Sequence, residues 1–181
     1  YIIDAIFGNA HSVTIESDYF DSYTSEIYVS SGSSDTYDDM ALNTATKDLL
    51  VQKSKDVFGS LLSAAQSGSS FPSSAASFTE DYSYLDDIHD SYDDLCSEFA
   101  TSSTSGYVSI TPGNFSCNNA EYGNGVFTIR SEFNYNYTHR SFSWWSSDFT
   151  DSQSSGNGYL TLSFKNVDGD WIITGFSYSG I

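Results

Sequence analysis

The feature that most restricts the fold is a change in apolar spacing near position 105. Over 38–66, Leu42, Ala45, Leu49, Lys53, Val57, Leu61 and Ala64 mark one stripe, with Leu50, Phe58, Leu62 and Ala65 beside it. That repeat, about 3.6 residues, places side chains along one broad face of a helix. Asp38 or Asp39 is the expected cap at its start. Gly68, the serine-rich run to Ser77 and Pro72 are the expected stop. Gly59 inside the helix weakens it by about 1 kcal/mol. A second helix is predicted over 80–99, where Leu85, Ile88, Tyr92, Leu95 and Phe99 recur three and four apart. Its other face carries Asp86, Asp87, Asp90, Asp93 and Asp94 without lysines at i+4, so the face repels itself and packing must hold the helix.

From 106 onward the period is two. GYVSITP reads as a strand, and in 125–137 Phe127, Ile129, Phe133, Tyr135 and Tyr137 fall on one face. HRSFSWW at 139–145 reads as a further strand, and 151–158 as a polar loop ending in Gly-Asn-Gly. GYLTLSFK and WIITGFSY form a hairpin about Asp168-Gly169, with Leu160, Leu162 and Phe164 on one face. Ahead of the helices, 12–31 reads as two strands, and SSGSSD at 30–35 as a loop. Tyr1 to Gly8 reads either as a short strand or as the last turns of a helix begun upstream. Strands, two helices, then four or five antiparallel strands make an α+β chain. A curved sheet wrapped around helices often leaves a concave pocket.

Charge narrows the partners. The chain has 181 residues, 6 basic and 24 acidic, for a net charge of −18. Nineteen of the acids lie in 1–125 and five in 126–181. Phosphate backbones and anionic lipid both need a Lys/Arg surface, so nucleic acid and anionic membranes are poor partners. Aromatics at 17%, including 14 Tyr and 13 Phe, supply a core that a disordered acidic tail lacks. No run of about 20 apolar residues is present, so no membrane span is expected. The chain opens at Tyr1 without an initiator Met and reads as a mature or trimmed product. Two cysteines, Cys96 and Cys117, fit one disulfide and an oxidising compartment; the plainer alternative is two unrelated buried thiols. Asn114-Phe-Ser and Asn136-Tyr-Thr match the glycosylation acceptor pattern, which matters only in a secreted, glycosylating setting.

The helices 38–66 and 80–99, the strand GVFTIRSEFNYNY and the closing YLTLSFKNVDGDWIITGFSY together resemble an NTF2-like domain. With the preceding strand pair, the chain is similar to the extracytoplasmic region of Gram-positive membrane proteins of the teicoplanin-resistance-associated (TcaA-like) type. The resemblance covers 36–181 for the fold and implies a cone of two or three helices against a curved antiparallel sheet. A short β segment, 1–35, would precede it. It further implies a cell-surface or secreted, non-catalytic envelope module, and it brings no catalytic residue with it.

His11, His89 and His139 stand among many Ser and Asp, but a triad is defined by geometry, and coincidence is easy in this composition. No G-x-S-x-G, P-loop or H-E-x-x-H is present, so neither an enzyme nor a cofactor is expected. The helix acids and Asp168-Gly169-Asp170 lack the folded oxygen cage that calcium requires, so a solvated face is the better account and no metal is expected. The best binding hint is the aromatic set Phe133, Tyr135, Tyr137, Phe142, Trp144 and Trp145, since Trp and Tyr combine area with a polar handle. Alternating members are more often core. Trp144 and Trp145 are adjacent and cannot share one strand face, which makes one of them a candidate for exposure. Tyr135, Tyr137, Trp144 and Trp145 are the candidate binding residues, for an envelope polymer, a protein partner or self-association. The alternatives are a subunit of a surface filament or adhesin, with YIIDAIF exchanged between neighbours, and a small-molecule enzyme of the NTF2-like class.

Overall fold

The structure is a computed structural model that describes residues 10–28, 41–72, 78, 82–99 and 105–181. The chain divides into two compact units, Tyr1–Asp48 and Leu49–Ile181. The expected division after residue 35 and the caps Asp38 and Asp39 lie outside the described residues, as do Tyr1 to Gly8.

In the first unit, β1 (Ala10–Ile15) and β2 (Tyr23–Tyr28) pair antiparallel, Ala10 opposite Tyr28 and Ile15 opposite Tyr23. Phe20 bridges to Leu42, which is buried. Helix α1 (Thr44–Gln66) starts later than the sequence suggests, because Asn43 is its cap. The Asn43 side-chain oxygen accepts the Thr46 N–H at 2.8 Å, and its amide donates to the Asp18 carbonyl at 2.9 Å. One residue thus satisfies an orphan N–H of the first turn and ties the turn to the preceding loop.

In the second unit, the rest of α1 and α2 (Tyr82–Glu98) share one sheet with β3 (Ser105–Gly123), β4 (Val126–Ser143), β5 (Asp148–Val167) and β6 (Asp170–Ser179). All pairings are antiparallel and the order is β3-β4-β5-β6. Two hairpins close on two-residue turns with positive φ at both positions, Asn124-Gly125 and Asp168-Gly169. This geometry matches the twist of the strands it joins. The expected loop 151–158 is instead part of β5, paired through to β4. It lacks apolar alternation because β4 supplies the rings. Phe133 faces Gly158 and Tyr135 faces Gly156, and a Cβ on either glycine would meet the opposite ring at 2.7 or 2.5 Å.

The core lies between the helices and the sheet face carrying Ile129 and Phe133. Phe58 of α1 packs near Phe115, Phe133, Phe176 and Tyr178. Leu50, Leu61, Leu62, Ile88, Leu95, Leu160, Leu162 and Phe164 are fully buried around it. The buried face of α1 runs through Leu50, Ser54, Val57, Phe58, Leu61, Leu62 and Ala65, so it takes in Val57 and Leu61 of the expected stripe, whereas Leu49 is exposed. Ser54 fits there because its hydroxyl donates to the Leu50 carbonyl at 2.7 Å. Ser91 of α2 donates to the Phe176 carbonyl at 2.9 Å, fixing α2 against β6.

Candidate functional site

Among the described residues, the β4–β5 hairpin outruns its neighbours. β3 begins opposite Ser141 and β6 ends opposite Tyr159. The last pairs of the hairpin, Phe142 with Phe149 and Ser143 with Asp148, stand beyond both. The four-residue turn that follows holds Trp144 and Trp145. HRSFSWW is thus the end of β4 and its turn, not a separate strand.

Both tryptophans are outside. Trp144 is 77% exposed and Trp145 fully so, at 102%; Phe149 is 52% exposed. The strand-alternation argument expects one ring to be hidden, but a turn imposes no such alternation. Phe142 contacts Trp144 at 5.1 Å between ring centres, with the rings perpendicular at 89°, and Phe149 at 5.1 Å and 61°. The turn is braced locally. Ser146 N–H donates to the Ser143 hydroxyl at 3.5 Å and Phe149 N–H to the Asp148 carboxylate at 2.8 Å, while Ser147 takes a positive φ of 54°.

Two pairs inward from Phe142 and Phe149, and next to them on the same face, Arg140 forms a two-bond ion pair with Asp151 at 2.7 and 2.8 Å. This hydrogen bond holds the Asp151 carboxyl below the usual carboxylate range. Further inward on the same face come Thr138 with Gln153, Asn136 with Ser155 and Asn134 with Asn157. The hairpin therefore grades from aromatic tip to ion pair to a face of amides and hydroxyls.

The other candidates fall elsewhere. Tyr135 is buried, and its hydroxyl donates to the Gly180 carbonyl at 2.7 Å. Burial raises its phenol pKa first, with Tyr107 and Tyr137 adding to the effect. Tyr137 is half-buried between Tyr107, 5.5 Å away, and Tyr135, 5.9 Å away. Neither lies on the face of the ion pair. Asn114 and Asn136 are exposed, on β3 and β4. Cys96 is half-buried on α2 and Cys117 exposed on β3, and the two sulfurs are not bonded to each other. His89 of α2 is exposed against Phe71, and His139 of β4 is half-buried against Tyr107. The side chain of His11 is outside the described residues. Asp86, Asp87, Asp90, Asp93 and Asp94 line α2 as exposed carboxylates. An open groove of about 790 Å³ follows α1 past Asp56, Gly59, Ser60, Ser63 and Ser67, with Pro72 and Pro112 opposite. Sequence reasoning missed Phe149, whose signal was its place after a turn, paired across from Phe142.

The fold and this site define an α+β domain with an aromatic-tipped hairpin. Comparison with protein families, with curated proteins and with solved structures finds no match for the chain.

Proposed function

We propose that this chain is a non-catalytic binding module of a cell-envelope protein, working outside the cytoplasm, with the β4–β5 tip as its binding element. The observation that carries this reading is the exposure of two adjacent tryptophans with a phenylalanine beside them. Exposed clusters of large apolar side chains mark interaction sites, and Trp dominates binding energies where it is later covered. An NTF2-like fold of the TcaA-like type is consistent with two helices against four long antiparallel strands, with a β pair ahead of them. The bulges in β3, at Tyr107/Ser109, Pro112/Phe115 and Cys117/Asn119, are the device that bends a sheet of that kind. The acidic composition and the cysteine pair support the compartment, and a Cys96–Cys117 bridge formed on secretion belongs to the same proposal.

The test compares wild type with Trp144→Ala/Trp145→Ala. Retention on intact Gram-positive cells and on purified cell-wall sacculi is measured, and self-association is followed by sedimentation velocity. Wild type is retained on at least one of the two and the variant is not. Wild type and variant that behave alike on cells, on sacculi, on phospholipid vesicles and in self-association sink the reading.

A second reading is a filament subunit, favoured by one observation. Among the described residues, β5 has β4 as its only neighbour over 148–158. A bare edge accepts an added strand. Electron microscopy of native material showing dispersed monomers alone would dismiss it.

A further inference from the structure

We infer that the β4–β5 tip docks by inserting its rings into the interface of a zwitterionic phospholipid bilayer; this rests on the reading of the tip as the binding element. Shape is the first argument. Among the described residues, Trp144 and Trp145 lie on a turn beyond the end of β6 and the start of β3, and both rings are exposed, so the described tip is convex. A convex apolar tip needs an occupant that yields around it, and the boundary between lipid headgroups and chains does so. Ring geometry is the second. Trp144 stands perpendicular to Phe142, and Phe149 is tilted 61° to it. A stacking platform for an extended glycan requires aligned flat faces, whereas insertion requires only area and the amphipathic indole.

The grading behind the tip is the third argument. Aromatic residues give way two residue pairs inward to the Arg140–Asp151 ion pair, and then to amides and hydroxyls. This is the polarity profile that a shallowly inserted element meets. The turn also arrives with N–H groups already engaged, at Ser146 and Phe149, which lowers the cost of leaving water. Charge selects the lipid. Arg140 is held by Asp151, and Asp148 adds a carboxylate at the tip, so no cationic excess meets an anionic surface. The ammonium groups of zwitterionic headgroups suit Asp148 instead.

The experiment is co-sedimentation of the full chain with vesicles of phosphatidylcholine alone and of phosphatidylcholine mixed with phosphatidylglycerol, read together with tryptophan emission. Wild type binds phosphatidylcholine vesicles with a blue shift, little changed by added salt and not strengthened by phosphatidylglycerol. Trp144→Ala/Trp145→Ala binds about a hundredfold more weakly, about tenfold for each ring lost, and shows no shift. Its circular dichroism matches wild type, and Trp145→Phe keeps part of the binding. Absence of binding to phosphatidylcholine, binding that needs phosphatidylglycerol, or undiminished binding by the double variant overturns the inference. Retention on purified peptidoglycan, or tip-dependent self-association, without vesicle binding would overturn the lipid and leave the tip as binding element. Identical behaviour of wild type and variant on every surface would remove both.

Discussion

At the scale of single residues, glycines show how close the sheet sits to its limits. Gly158 lies beneath Phe133, with the Ser179 carbonyl 3.1 Å from where a Cβ would stand. Gly158→Ala is expected to lower stability by about 1–3 kcal/mol, because a methyl there must displace a core ring and meets backbone behind it. Gly59, inside α1, has open space at its Cβ position. Gly59→Ala is expected to raise stability by about 0.5–1 kcal/mol by removing backbone freedom from the unfolded chain. Urea denaturation of the two variants checks both signs. Tyrosines add a pH effect. Burial, then the carboxylates of Glu98 and Asp94, push the Tyr178 phenol up to about 12. Burial likewise raises Tyr92 and Tyr135. In the unfolded chain such phenols ionise near pH 10. The stabilisation is therefore complete below about pH 10 and is lost as pH rises toward 12. Tyrosinate absorbance in folded and urea-unfolded protein should show this lag; coincident titrations would contradict it.

Elements were legible in the sequence where one strand or helix carried its own pattern. Helix α2 follows the stripe Ile88, Tyr92 and Leu95, and the closing hairpin follows Leu160, Leu162 and Phe164 around Asp168-Gly169. The pattern failed where the information sits on a partner. The stretch 151–158 is a strand because Phe133 and Tyr135 cover its glycines from β4. β3 runs past Pro112 to Gly123, but three bulges shift its alternation each time it is established. Asn124-Gly125 carried the same turn signal as Asp168-Gly169 and marks the β3–β4 hairpin. The start of α1 depends on Asn43, whose side chain holds Thr46 and Asp18 at once. Asn43→Ala is expected to cost about 1 kcal/mol; a thermal melt with no change would show that the cap does not support the helix. Of the candidate site, the tryptophan pair was legible as aromatic bulk, while its exposure was not, since exposure depends on a turn that the strand pattern hid.

For the whole molecule, charge is the dominant long-range feature. A net charge of −18 accompanies one salt bridge among the described residues, Arg140–Asp151. Self-repulsion on that scale weakens a compact state, and salt screens it. The melting temperature is expected to rise with added sodium chloride, with most of the gain below about 0.15 M, where the screening length has shortened to about 8 Å. A flat response would show that the acids are too dispersed to interact.

Strand order in the sheet follows chain order. Each pairing closes from its own turn, and no strand has to be threaded between two already joined. Assembly is therefore a sequence of local zippering steps, and each hairpin is complete once its second strand exists. Of the four strands, β3 and β4 come first along the chain, and β6 comes last, pairing the edge that carries Leu160 and Leu162. The apolar face of the growing sheet is thus covered progressively by helices made earlier, which leaves little time for it to meet another chain.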